Sequence, residues 1–201
     1  IGVAAATRFF AGVNPSRLNG LYLASTTLPY ADRLNSGIAA TSLSLRGDIR
    51  TADFTSALKA GTSALVAALD SVGGGKGRQV LVAAADAREA KAGSFYEMWF
   101  GDGAAALLLG TDDVIAEFLG SHSVSYDFVS HYRSAQRRFD YAWEERWIRD
   151  EGYSKIIPEA VNGLLERLSL TMADVQKLVF PCFFKREHSG IARALGATPE
   201  K

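Results

Sequence analysis

The stretch Asp53-Phe-Thr-Ser-Ala-Leu-Lys-Ala-Gly-Thr-Ser-Ala-Leu65 constrains this chain more than any other. It reads as the end of a short strand, a sharp turn, and a helix that opens with small residues. Ala57, Ala60, Gly61 and Ala64 allow that helix to pack closely on its neighbours. The helix runs on through Val66-Ala-Ala-Leu69 and meets a strong terminator at Gly73-Gly-Gly75. A turn of this kind is where many enzymes place a nucleophile, because a helix N-terminus favours developing negative charge. Here the turn carries Leu58, which has no nucleophilic atom.

The elements around this stretch follow from short apolar runs and their punctuation. Val3 to Ala11 reads as a helix, Asn14-Pro-Ser-Arg as a turn, and Leu21 to Ala24 as a buried strand. Ser36 to Leu45 reads as a helix capped by Ser36 and ended by Gly47; Ile49 to Phe54 is the strand that enters the central turn. Gln79 to Ala84 is the clearest buried strand, Glu89 to Phe100 a loop with helical turns, and Gly101 to Leu109 a further buried strand. Ser154 to Leu168 reads as a helix, Thr171 to Asp174 as a cap, Val175 to Phe180 as a strand, and Arg186 to Leu195 as a helix ended by Gly196. Short strands alternating with helices indicate an α/β layered fold.

Residues 120–152 differ in texture, with Trp143, Trp147 and a run of arginines from Arg133 to Arg149. The expected form is an amphipathic surface helix over Ala135 to Arg149, with Phe139, Tyr141, Trp143 and Trp147 packed inward. The functional alternative is an insertion that covers a cleft or meets phosphate with its arginines.

Composition narrows the function classes. The 22 basic and 22 acidic residues cancel, which argues against a nucleic-acid binder. The single cysteine, Cys182, permits no intrachain disulfide and fits a reducing, cytoplasmic setting. Three scattered histidines and one cysteine give no zinc-ligand spacing, no metal site is expected, and no apolar run spans a bilayer. The start, Ile1-Gly-Val-Ala-Ala-Ala-Thr-Arg, has neither a signal-peptide pattern nor an initiator Met, so the chain is expected to be a piece of something longer or a processed product.

Three stretches together resemble the thiolase superfamily, in the branch of ketoacyl-carrier-protein synthase III and hydroxymethylglutaryl-CoA synthase. Asp53-x-x-x-Ala57-Leu58-Lys-Ala-Gly-Thr62-x-Ala64 is similar to the segment around the family's catalytic cysteine. Phe100-Gly-Asp-Gly-Ala-Ala105 is similar to the family's entry into a strand, and Asp174 to Lys201 to the region of its catalytic histidine. Thr26 to Tyr30 adds a weaker match to a synthase loop. The resemblance implies a layered α-β-α-β-α fold, incomplete at both ends: a first strand before Ile1, and last strands and an asparagine loop after Lys201. It divides the chain into 1–120, an N-terminal half with the nucleophile turn; 121–152, an insertion; and 153–201, the start of the C-terminal half.

Relatives make carbon–carbon bonds by Claisen chemistry, using a thiolate, oxyanion donors and a placed base. This sequence departs from that set at each aligned position. Leu58 stands at the cysteine, Thr26 at the synthase glutamate, Pro181 at the histidine and Phe184 at the asparagine. A one-residue shift puts Cys182 at the histidine. Arg186 aligns with an arginine that contacts carrier or CoA phosphate in relatives, and reads equally well as a solvated charge. Thr55, Ser56 and Ser63 are substitute nucleophiles by type, with His122, His131 and His188 as bases by type; His188 is expected at a helix surface and Cys182 as a small buried hydrophobe.

The expected function is a condensing-enzyme homologue that binds acyl-CoA or scaffolds a partner without catalysis. The alternatives are an active acyl-CoA acyltransferase with relocated residues and a degenerate fragment. No cofactor is expected, with acyl-CoA as a possible ligand. The expected assembly is a homodimer paired through Ile49 to Phe54, or a hetero-oligomer with a thiolase or a zinc-ribbon/OB-fold protein.

Overall fold

The computed structural model describes residues 14–75, 77–182 and 185–198. The expected helix over Val3 to Ala11 lies outside them, as does Phe184. The chain forms two compact units, Ile1–Ala116 and Glu117–Lys201. The second holds both the stretch 121–152 and the stretch 153–201.

In the first unit, a 3-10 turn at Pro15–Arg17 leads into β1 (Leu18–Ala24), and Asn14 accepts the Ser16 amide to cap that turn. Next come α1 (Asn35–Ser42), β2 (Arg50–Phe54), α2 (Ala60–Gly73), β3 (Gln79–Asp86), a 3-10 turn at Phe95–Met98, and β4 (Gly103–Leu109). The strands form one mixed sheet in the order β2-β1-β3-β4, with the first three parallel and β4 antiparallel to β3. The connection through α2 therefore passes β1 to reach β3.

Both faces of the sheet are covered, so its central strands read as unbroken apolar runs. Their alternation appears only in the packing. Val80 and Val82 of β3 meet Ala60, Ala64, Ala68 and Val72, a stripe at every fourth residue of α2. Leu81 between them points to the opposite face, with Leu18, Leu21, Ala39 and Ala40. Leu18 and Leu21 share a face despite their odd spacing because the register with β3 slips between Leu18 and Gly20. At that bulge, Asn19 Oδ1 accepts the Gln79 amide at 3.0 Å. Gly20 makes a close approach there: a Cβ would lie 3.2 Å from Val80 Cγ1, so a larger residue would push that side chain by a few tenths of an ångström.

Three expectations for this unit change. Ala57 is exposed, and the buried small residues of α2 begin at Ala60. α1 ends at Ser42, well before Gly47, and its cap is not Ser36: Ser36 lies inside the helix, fully buried. The cap comes from Asp53 on β2, whose carboxylate accepts the amides of Asn35 and Ser36, each at 2.7 Å. β4 is an edge strand and mostly exposed, with Leu107 53% accessible, because among the described residues only β3 pairs with it.

In the second unit, Ala135 to Asp140 is not helical. A two-stranded hairpin, β5 (His131–Tyr132) with β6 (Tyr141–Ala142), precedes a short helical turn α3 (Glu145–Trp147), a π-helical segment at Ile148–Tyr153, and α4 (Ser154–Arg167). Tyr132 and Tyr141 face each other across the hairpin at 5.4 Å, a cross-strand pairing that wins over helical periodicity. Tyr141, Trp143 and Trp147 are consequently about half exposed rather than packed inward. A capping box at Thr171 and Asp174 opens the next 3-10 turn, and α5 (Lys185–Ala194) ends with Gly196 at φ +77°. Val175 to Phe180 is not a strand: it bends at Gln176, and no strand of the described residues pairs with it. Val175, Leu178 and Phe180 instead pack on Met172, Ile191 and Leu195, together with Ile157, Val161 and Leu165 of α4, while Val179 is 92% exposed.

Candidate functional site at the carboxyl end of the parallel strands

β1, β2 and β3 end on the same side of the sheet, the side where open parallel sheets place their ligands. Two residues singled out in the sequence, Thr26 and Leu58, lie at this end.

Leu58 sits in the β2–α2 turn and is 58% exposed. The turn is tight: the Ala60 amide bonds to the Ala57 carbonyl, and Ser56 takes a left-handed backbone at φ 67°. That conformation is uncommon for a residue with a Cβ. α2 begins with no side-chain cap from Lys59, and the Thr62 hydroxyl bonds back to the Lys59 carbonyl.

Thr26 follows β1 directly. Its amide and hydroxyl donate to Asp86 Oδ1 at 2.7 and 3.0 Å, and its hydroxyl oxygen accepts from Arg88 Nη1 at 2.8 Å. The same carboxylate oxygen takes the hydroxyls of Ser25 and Thr27, each at 3.0 Å. Thr27 Oγ1 in turn accepts the Ala87 amide, closing the collar. The Arg88 guanidinium also lies over the Phe100 ring at 5.4 Å. This arrangement orders the end of the sheet and leaves the Thr26 hydroxyl engaged as both donor and acceptor.

Beside the collar opens a cleft of about 350 Å³. Leu23, Leu28, Pro29, Ile38 and Ala85 make most of its wall, with Asn35 and Asp86 as polar points. A largely apolar pocket with a few convergent polar groups suits an organic ligand. Asn35, on its wall, is held in turn by Asp53. Burial raises this carboxyl's pKa, but hydrogen bonds from Ser36 and Asn35 outweigh that and hold it below the usual carboxylate range. Asn35 adds its side-chain amide to Asp53 at 2.9 Å and accepts the Tyr30 amide at 3.3 Å.

Sequence reasoning missed Asp53, Asp86, Arg88 and Asn35 as a group. The available signal was an acidic residue near the carboxyl end of each of two strands, Asp53 before Phe54 in β2 and Asp86 after the apolar run of β3. Such residues persist only where donors meet them.

The other expected positions belong to the second unit. Pro181 is exposed and Cys182 is half-buried rather than a core residue. Arg186 is exposed in the first turn of α5, with no ion-pair partner among the described residues. His188 is partly buried and stacks on Phe180 at 4.3 Å, so it is not a free surface residue. All three histidines lie in this unit. Among the described residues no cluster of His, Cys, Asp or Glu forms a metal site, and no helix is long and apolar enough to cross a membrane.

No profile of a known protein family matches the chain. Individual proteins do. The hydroxymethylglutaryl-CoA synthase of Thermococcus sibiricus is 30% identical over 205 aligned positions, which cover 100% of this chain and 58% of the relative. The chain thus spans a little over half the length of that curated relative. Among solved structures, MvaS in complex with 3-hydroxy-3-methylglutaryl coenzyme A superimposes with a TM-score of 0.85 at 22% identity, covering 96% of this chain and 50% of that one. The 3-oxoacyl-[acyl-carrier-protein] synthase III of Aquifex aeolicus superimposes with a TM-score of 0.85 at 18% identity, covering 100% of this chain and 66% of that one. By sequence the chain is a homologue of hydroxymethylglutaryl-CoA synthases, and by fold it is thiolase-like.

Proposed function

We propose that this chain is a non-catalytic condensing-enzyme homologue that binds acyl-CoA or scaffolds an active partner. The observation that carries the reading is Leu58, a solvent-accessible hydrocarbon at the turn where the resemblance expects a thiolate. A thioester cannot be attacked by an alkyl side chain. Thr26, at the position expected for a proton-moving glutamate, has no carboxylate, and its hydroxyl is held between Asp86 and Arg88. Pro181 and Phe184, at the expected oxyanion-donor positions, offer no side-chain donor. The apolar cleft beside Asp86 remains as the place for an acyl or pantetheine chain; for Arg186, a phosphate contact is what the resemblance alone implies.

For assembly, we propose a homodimer formed through β2, a sheet edge with no partner strand among the described residues. The alternative is a hetero-oligomer with a thiolase or a zinc-ribbon/OB-fold protein. The single cysteine favours a cytoplasmic setting.

One observation favours a second reading, an acyltransferase with a relocated nucleophile: Ser56 holds a strained left-handed backbone in the same turn. Intact-protein mass spectrometry after incubation with acetyl-CoA separates the two. The proposal expects no covalent acyl adduct, together with a calorimetric binding signal for CoA. An adduct mapping to Ser56 overturns it in favour of the second reading. Loss of both adduct and binding, with no co-purifying partner, favours a degenerate fragment.

A further inference from the structure

At the opposite, amino-terminal end of the parallel strands, three arginines meet in a second cleft, of about 190 Å³. Asn19, Arg46, Asp48, Arg50, Ser71 and Arg78 line it. Arg50 opens β2 and Phe54 closes it, so this cleft lies about 13 Å along the strand from the Thr26 and Leu58 end.

The donors and acceptors do not balance. Arg46 is committed: Nε to Asp48 at 3.0 Å, Nη1 to the Ser16 carbonyl at 2.9 Å and Nη2 to the Leu18 carbonyl at 3.2 Å. Arg78 gives one long bond to the Ser71 carbonyl at 3.4 Å, at the carboxyl end of α2. Arg46 is thus structural, whereas Arg78 keeps Nε and Nη2 without an acceptor, and Arg50, exposed at the start of β2, has no ion pair or side-chain hydrogen bond, among the described residues. The Asn19 side-chain NH2 and the Ser71 hydroxyl have no acceptor there either, since Asn19 uses only its Oδ1, toward Gln79. The one carboxylate, Asp48, is already taken by Arg46. The cleft therefore presents unpaired donors and an excess of positive charge.

Arg78 also has a recess to lie in. A Cβ on Gly74 would lie 3.1 Å from Arg78 Nη1, and one on Gly75 3.3 Å from Nε. Gly74 has φ −75°, which any residue adopts, so what its lack of a side chain provides is room for the guanidinium. A glycine floor beneath a guanidinium, with a second arginine beside it, suits the fork geometry by which arginines grip a tetrahedral oxyanion.

We propose that this cleft binds a phosphoryl oxyanion, as free phosphate or as the phosphate of a nucleotide, with Arg50 and Arg78 as principal ligands and Asn19 and Ser71 as neutral donors. The site is separate from the acyl-CoA reading of the other end and stands whether or not that reading holds.

The experiment is calorimetric titration of the whole chain with inorganic phosphate and, separately, with adenosine 3′,5′-bisphosphate. Wild type is expected to bind phosphate saturably, and added sodium chloride to weaken that binding. Arg50→Ala is expected to weaken it roughly tenfold or more, and Arg50→Ala with Arg78→Ala to abolish it. Arg50→Gln provides a second variant that keeps a polar, hydrogen-bonding side chain without the charge. Bisphosphate binding that is tighter than phosphate binding and is weakened by Arg50→Ala would identify a nucleotide as the source at this cleft; bisphosphate binding that Arg50→Ala leaves unchanged belongs to another site, and equal, Arg50-dependent binding of the two would identify free phosphate. Absence of phosphate binding by wild type, or unchanged affinity in both the Arg50→Ala and Arg50→Gln variants, overturns the assignment.

Discussion

Asp86 and Thr26 form a two-point contact: one carboxylate oxygen accepts both the Thr26 amide, at 2.7 Å, and its hydroxyl, at 3.0 Å. The residue at the expected glutamate position is thus fastened to an acid. Thr26→Glu would place two carboxylates against each other and remove the hydroxyl contact. The expected cost is about 1–3 kcal/mol, read from the urea midpoint at neutral pH. A variant as stable as wild type would show that the collar around Asp86 contributes nothing.

The position of Leu58 should be nearly indifferent to stability. It is 58% exposed, whereas Ala64 and Ala68 of the same turn-and-helix unit are fully buried against the sheet. Leu58→Cys is expected to change unfolding free energy by no more than about 0.5 kcal/mol. Ala64→Leu is expected to cost about 1–3 kcal/mol by overpacking. Equal effects of the two changes in chemical denaturation would contradict the packing described.

Asp53 makes acid sensitivity predictable. Its folded-state pKa lies below its ordinary value, so it contributes stability in full above its unfolded-state pKa. That contribution is lost as pH falls through the folded pKa. Wild type should therefore lose stability below about pH 4, and Asp53→Ala should lose less over the same interval while being less stable at pH 7. Parallel pH profiles of the two proteins would exclude the cap.

Gly152 is buried in the π-helical segment, and a Cβ there would lie 2.7 Å from two ring atoms of Phe128. Phe128 itself stacks on Trp147 at 6.0 Å. Gly152→Ala should cost about 1–3 kcal/mol and change the near-ultraviolet dichroism of these aromatics. An unperturbed spectrum would mean that Phe128 moves aside freely.

The sequence alone fixed the order of elements in the first unit, from the Pro15 turn to the β4 run, because short apolar segments between turn residues have few other uses. It also identified the β2–α2 turn and the unreactive Leu58 within it. It marked the Gly196 stop and the Thr171 cap, both local signals. What it left unread was non-local. The Asp53 cap joins residues 17 and 18 apart in sequence, and the Asp86 collar joins residues about 60 apart. No window along the chain contains both partners of either. The expected helix over Ala135 to Arg149, which forms only from Glu145, and the missing strand at Val175 to Phe180 share one cause. A β-strand is defined by its neighbour, which the Tyr132–Tyr141 pairing supplies in the first case and no described residue supplies in the second. Periodicity shows which face of a segment is apolar; only the tertiary structure decides what that face, and each buried charge, will meet.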